Sequence, residues 1–219
     1  MYIVDNFRIF VGDINANSID KIPTGNWVVK YAPTTGFFLE RTNDFKLPSK
    51  MYGDVKKTCK RYMKAYKHYD KNLGILFAGL KGTGKSLTAK YLAVHSKLPV
   101  LLVQEPYHGT EFNTFLSALR QECIIMFDEF EKVYHEDESQ AGILSAMDGM
   151  SSTKLMFVMT INDTNKISKY MMNRPGRIHY SKMYGGLSNE CILEVCTDLL
   201  DDTTKTDSVV SVCNYLGDV

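Results

Sequence analysis

Residues 74–86, GILFAGLKGTGKS, restrict the fold of this chain more than any other stretch. An apolar run (Ile75, Leu76, Phe77, Ala78) enters a glycine-rich loop, and a helical pattern leaves it. Gly79, Gly84, Lys85 and Ser86 show the spacing G-x-x-x-x-G-K-[ST] of a phosphate-binding loop, or P-loop. In such a loop the backbone N–H groups turn inward around an anion. Glycines such as Gly82 and Gly84 let the chain approach it without a Cβ in the way. The helix beginning near Lys85 aims its positive end at the same point. Gly82, Thr83, Gly84, Lys85, Ser86 and Leu87 are therefore the candidate nucleotide contacts. Lys85 is placed to reach the outer phosphates and the Ser86 hydroxyl to bind Mg²⁺. The spacing predicts a chain that binds a nucleoside triphosphate together with Mg²⁺.

A length of 219 residues suits one α/β domain with appendages. Lysine and arginine total 26 against 25 acids, a net charge of +1, so the molecule as a whole has no strong pull toward nucleic acid or membrane. Cys59, Cys123, Cys191, Cys196 and Cys213 lack metal-type spacing and read as reduced thiols. No apolar run is long enough to cross a bilayer and the amino terminus lacks a signal pattern, so the expectation is a soluble, cytoplasmic protein.

Residues 1–50 read as a small β-rich module, with a hairpin formed by 26–30 and 36–41 around Pro33. Packing on the edge of the core and docking of a partner are equally compatible with it. After Pro48, a helix of about seventeen residues is expected, because Val55, Cys59, Tyr62, Met63, Tyr66 and Tyr69 recur at three- and four-residue steps. Lys56, Lys57, Lys60, Arg61, Lys64, Lys67 and Lys71 fall on its other face. The aromatics lie on the buried side rather than among the lysines, which favours a solvated flank over a nucleic-acid strip. Helices are then expected over 86–97 (Leu87, Tyr91, Leu92 and Val94 inward), from Thr110 through Arg120 or Gln121, and over 139–150 and 167–173. They alternate with strands at 100–103, 123–127, 155–161 and 178–184. This alternation predicts a mainly parallel sheet with right-handed crossovers, its ligand beyond the carboxyl ends of the strands. All the motifs are expected at those ends.

Strand 123–127 ends in Asp128-Glu129. An acid at the tip of a buried strand beside a phosphate loop suits Mg²⁺, often through water, and the next acid suits a base that activates water. Asp128 is assigned to metal and Glu129 to base. Strand 155–161 ends in Asn162, whose amide is placed to hold the lytic water or a γ-phosphate oxygen. Asn173-Arg174-Pro175-Gly176-Arg177 forms a rigid corner presenting arginines, which stabilise charge on a transferring phosphoryl group.

The pieces GLKGTGKS, IIMFDEFEK, LSAMDGM, TIND and NRPGR together resemble the AAA+ ATPase superfamily, and within it the classical AAA branch. The compact plan is similar to that of large-bacteriophage members. The resemblance implies an ATP-hydrolysing P-loop NTPase: an α/β fold with a mainly parallel five-stranded sheet, helices on both faces, the β-rich module at 1–50, an ATPase core at 51–185 and a partial helical lid at 186–219. It implies that Tyr52 and Gly53 cup adenine, that Asn162 is the first sensor, and that Arg177 is an arginine finger acting across a subunit boundary. A homo-oligomeric ring of about six subunits follows, since a trans-acting finger needs a head-to-tail contact that closes. Tyr107 and Gly109 fall at the pore-loop position of members that thread protein chains, so a protein partner is expected and nucleic acid is the lesser alternative. Tyr180 stands where the resemblance would place a second finger arginine, and no second-sensor arginine is visible.

Overall fold

Segments such as Ile124–Phe127 and Met156–Ile161 are apolar almost throughout, so neither side of such a strand can face water. Both are buried along their whole length, in the middle of one ten-stranded sheet. The computed structural model describes residues 2–5, 8–11, 18–148, 153–168 and 177–199. Its strands are β1 (Tyr2–Asp5), β2 (Arg8–Val11), β3 (Ser18–Ile19), β4 (Gly25–Ala32), β5 (Gly36–Arg41), β6 (Leu73–Gly79), β7 (Pro99–Leu102), β8 (Ile124–Phe127), β9 (Met156–Ile161) and β10 (Ile178–Tyr184). They lie in the order β10-β6-β9-β8-β7-β4-β5-β2-β1-β3.

Alternation along the central strands divides the core into two layers. On one face Leu76, Ala78, Ile125, Phe127, Phe157 and Met159 meet helices α3 (Gly109–Ser117), α4 (Phe130–Val133) and α5 (Asp137–Asp148). On the other, Ile75, Phe77, Ile124, Met126 and Val158 meet α1 (Val55–His68) and α2 (Lys85–Ser96). Complete burial of one side chain such as Phe127 is worth about 2–3 kcal/mol. Cys59 and Cys123 are buried in these layers, and burial pushes both thiols up to about 12, which leaves them unreactive. No helix among the described residues is long and apolar enough to cross a membrane.

The parallel α/β plan is present, with a wider sheet than expected. Besides β6 to β10, β4 pairs in parallel with β7, Gly25 opposite Pro99 and Val28 opposite Leu102. The expected hairpin forms between β4 and β5, and β2, β1 and β3 continue outward in antiparallel pairs. The strands of the first fifty residues are thus an extension of the parallel sheet. Two ties lock this extension down: the Tyr2 hydroxyl accepts from Arg120 N at 3.1 Å, and the Gln121 amide exchanges two hydrogen bonds with the backbone of Ile22 at 2.7 and 3.0 Å.

Several helices differ from their sequence patterns for local reasons. Helix α1 stops at His68, because Asn72 must accept from Leu155 N at 2.8 Å and donate to the Met147 carbonyl at 2.9 Å to start β6. Its tyrosine face is buried through Tyr62 and Tyr66. Helix α2 sits on the sheet with Thr88, Ala89, Leu92 and Ala93 inward, while Val94 is 44% exposed; small side chains allow the close approach. Helix α3 ends at Ser117, which frees the following residues for the Gln121 tie, and Leu119 stays buried. The expected short helix at 167–173 lies mainly, and residues 200–219 of the expected lid wholly, outside the described residues. In the stretch expected to form a lid, the described helix is α6 (Asn189–Leu199).

Candidate active site

The carboxyl ends of β6, β8 and β9 lie side by side, since β9 pairs in parallel with both β6 and β8. The glycine-rich loop, Asp128-Glu129 and Asn162 therefore meet at one rim. In the loop, Gly82 and Gly84 adopt φ of +81° and +93°, conformations that L side chains avoid, and a Cβ at either would meet open space. Backbone geometry thus explains both glycines. Lys85 is only 5% exposed, and its ammonium and the Thr83 hydroxyl both donate to the Leu80 carbonyl. Burial lowers its pKa, an effect that the charges of Glu131, Glu129 and Asp128 oppose. A desolvated cation at the mouth of a loop of inward N–H groups is a fitting partner for a polyphosphate.

Ser86 Oγ donates to Asp128 Oδ1 at 2.7 Å. A hydroxyl and a carboxylate oxygen side by side suit a hard cation such as Mg²⁺, the serine as a direct ligand and the acid through a water. The donor set fits that ion. Thr160, buried in β9, donates to the same Asp128 oxygen at 2.6 Å and accepts from the Glu129 backbone N–H at 2.8 Å. That second bond anchors Glu129, whose φ of +52° is left-handed and costs about 1 kcal/mol in a residue with a side chain. The Glu129 carboxylate pairs with Lys132 and accepts from Asn162 Nδ2 at 3.1 Å. Lys132 chiefly, with Asn162, holds its carboxyl below the usual carboxylate range, so Glu129 is ionised at neutral pH. Asn162 also donates to Glu131 Oε1 through its backbone N at 3.0 Å and through Nδ2 at 2.9 Å.

Lys85, Ser86, Asp128, Glu129 and Asn162 thus converge. Thr160, Glu131 and Lys132 belong to the same cluster and escaped the sequence reading. Thr160 was signalled only by being the one hydroxyl in an apolar strand, and Glu131 by its offset of three from Asp128. Arg177 does not join them. It precedes β10, whose Ile178 faces Gly74 while Tyr184 faces Gly79, so it stands at the amino end of the sheet. Six residues of strand, about 20 Å, separate it from its own phosphate loop. There its guanidinium pairs with Asp148 (Nε–Oδ2 2.7 Å, Nη2–Oδ2 2.6 Å) and is 12% exposed. The expectation that every motif gathers at the carboxyl rim fails for this residue; Asn173 to Gly176 lie outside the described residues.

Tyr52 and Gly53 sit against α6. Gly53 has φ of +64°, and a Cβ there would lie 3.5 Å from Cys191 Sγ of α6. The Lys50 ammonium lies 5.1 Å from the Tyr52 ring and bridges to Glu194 (3.2 Å) and Asp198 of α6. Tyr107 does not project as an arm. Its ring is half-buried, edge-on to Phe37 at 5.0 Å, and its carbonyl accepts from the Tyr134 hydroxyl at 2.9 Å. Gly109, with φ of +83°, opens α3.

A phosphate loop, an acid-tipped strand and an amide-tipped strand on one parallel sheet define a P-loop nucleoside triphosphatase. Residues 75–183 match the family model described as "ATPase family associated with various cellular activities (AAA)". The chain belongs to the AAA ATPases. Similar curated proteins include a putative cell division cycle ATPase of Plasmodium falciparum, 31% identical over 143 residues and covering 53% of this chain and 12% of that protein. The peroxisomal ATPase PEX6 of Saccharomyces cerevisiae is 32% identical over 179 residues, covering 67% of this chain and 17% of PEX6. The chain therefore spans less than a fifth of these relatives. Among solved structures, the Thermotoga maritima RuvB Holliday junction branch migration motor superposes with a TM-score of 0.55 at 15% identity, covering 73% of this chain and 56% of that one. At that identity the likeness is one of fold.

Proposed function

We propose that the chain hydrolyses ATP with Mg²⁺, works as a ring of like subunits, and uses the turnover to remodel or thread a protein partner. The observation that carries the hydrolytic reading is the meeting of Lys85, Ser86, Asp128, Glu129 and Asn162 at one sheet rim. Bound Mg²⁺ would neutralise phosphate charge, with Ser86 and Asp128 as its protein oxygens, the latter through water. Lys85 draws charge from the outer phosphates, and the ionised Glu129 takes a proton from the attacking water while Asn162 holds that water in place. Arg177 lies too far from its own loop to serve it. Its reading as a finger requires a neighbouring copy, and this supports the ring. The protein partner rests on the Tyr107-His108-Gly109 resemblance and the near-neutral charge of the chain.

Glu129→Gln should bind ATP normally and lose hydrolysis by about 10²-fold or more; near-normal turnover removes the assignment. Arg177→Ala mixed with Lys85→Ala should regain activity, because one competent interface forms between them, and no regain counts against the shared site. One observation favours a second reading. The cations along α1, Lys56, Lys57, Lys60, Lys64 and Lys67, have no ion-pair partner among the described residues. Strong stimulation of the ATPase by single-stranded DNA would support ATP-switched assembly on nucleic acid. Loss of protein-stimulated work in Tyr107→Ala with basal hydrolysis kept would support threading.

A further inference from the structure

Glu131 has no assigned role, yet it is a carboxylate only 5% exposed. An ionised group so placed costs several kcal/mol unless its surroundings compensate it. One of its oxygens, Oε2, has no hydrogen-bond partner among the described residues. The other, Oε1, accepts twice from a single residue: from Asn162 N at 3.0 Å and from Asn162 Nδ2 at 2.9 Å. We propose that Glu131 is a positioning residue that turns the Asn162 carboxamide with its NH₂ inward, so that Asn162 presents its carbonyl Oδ1 to the attacking water. This rests on the hydrolytic reading of the site.

The orientation follows from chemistry. An asparagine amide reads almost the same either way round in shape, and only its partners decide which end is nitrogen. Here the inward end meets Glu131 Oε1 and Glu129 Oε1 at 2.9 and 3.1 Å. Carboxylate oxygens accept, so a reversed amide would set its oxygen against two acceptor oxygens. Both N–H bonds of the amide are therefore used inside the protein. What Asn162 has left to offer is an acceptor. An acceptor repels the oxygens of a γ-phosphate but receives a hydrogen bond from water. A water shared by Asn162 Oδ1 and a Glu129 carboxylate oxygen has both protons engaged, and its lone pair is left free for the phosphorus. Of the two partners that the sequence left open for Asn162, water is the one this geometry serves. Glu131 is the anchor, because among the described residues it alone grips both the backbone and the side chain of Asn162.

Two kinds of measurement on the full chain test this. In nucleotide-free protein, Glu131→Ala should raise the hydrogen-exchange rate of the Asn162 backbone amide at least about tenfold, as its acceptor is gone. In steady state the same variant should lose kcat by about 10–100-fold, with KM held within about threefold, the cost of a misplaced water. Glu131→Gln keeps an acceptor oxygen and should recover kcat to about tenfold above the alanine variant. Combined with Asn162→Ala, Glu131→Ala should lower kcat less than about twofold further, since both remove one device. Fully multiplying losses overturn the proposal, as does unchanged Asn162 exchange. A rise in KM with kcat kept also overturns it, because Glu131 would then act as a counter-charge to Lys85. Should Glu131→Ala not fold, Glu131→Asp, retracted by about 1.5 Å, is read by the same exchange and kcat criteria. A normally active Glu129→Gln would sink the hydrolytic reading instead, while the exchange result judges the Glu131–Asn162 contact by itself.

Discussion

Replacing Thr160 by valine keeps the volume and β-branching of the side chain and deletes one hydroxyl. That hydroxyl donates to Asp128 at 2.6 Å and accepts from the Glu129 N–H at 2.8 Å. A bond to a charged group is worth about 1.5–3 kcal/mol and a neutral one about 1 kcal/mol. Asp128 is exposed and regains water, so a net loss of about 2–3 kcal/mol is expected. For a chain of this size each kcal/mol moves Tm by about 2–4 °C, which predicts a fall of about 4–12 °C by calorimetry. Without its N–H bond the left-handed Glu129 backbone is free to relax, so kcat should fall about tenfold or more. Thr160→Ser keeps the hydroxyl and should recover most of the turnover. A valine variant with Tm within about 2 °C of wild type and unaltered kcat would refute this reasoning. A full fall in Tm with kcat intact would refute the coupling to Glu129 alone.

Lys85→Met removes a desolvated ammonium, so nucleotide-free Tm should hold or rise while the Tm gain on adding ATP disappears; a clear loss of Tm without nucleotide contradicts the burial cost assigned to Lys85. Gly79→Ala should lower stability by more than about 3 kcal/mol, because φ there is +136° and the new Cβ would stand 2.0 Å from the Tyr184 carbonyl oxygen; a near-native denaturation midpoint would mean that β6 and β10 separate without cost. Lys182 chiefly holds the Asp54 carboxyl below its usual value. A depressed folded pKa contributes stability above the unfolded value of about 4, and that contribution drains away as pH falls through the folded value. Asp54→Asn should therefore flatten the acid limb of urea midpoint against pH, and an unchanged limb would contradict the pairing.

Much of the site was legible because polar residues sit at the ends of unbroken apolar runs. IIMF followed by Asp128-Glu129, and MFVMTI followed by Asn162, announce strand tips. The glycine spacing announces the loop between β6 and α2. Thr160 was hidden because a threonine inside a strand reads as ordinary β-propensity. Glu131 was hidden because its partner lies 31 positions along the chain, and only the pairing of β8 with β9 brings the two together. Arg177 shows the reverse: its place just before β10 already implied the amino end of a parallel strand, and its motif drew it to the wrong rim. On α2 Leu92 is buried and Leu87 and Tyr91 pack against the core as read, while Val94 is exposed and the small Thr88, Ala89 and Ala93, which carry no apolar bulk to signal it, face inward. The pairing of β4 with β7 has no local signal, since a parallel pair joins segments about seventy residues apart and neither carries a mark of the other.

That last pairing bears on any attempt to trim the molecule. The strand bearing Asp128 has β7 as its outer neighbour, and β7 in turn leans on β4. Cutting away the first forty-odd residues would leave β7 as a raw, greasy border right beside the strand that bears Asp128, open to stray strand addition and clumping. The amino-terminal segment is a wall of the catalytic building, and a shortened version should be insoluble before it is inactive.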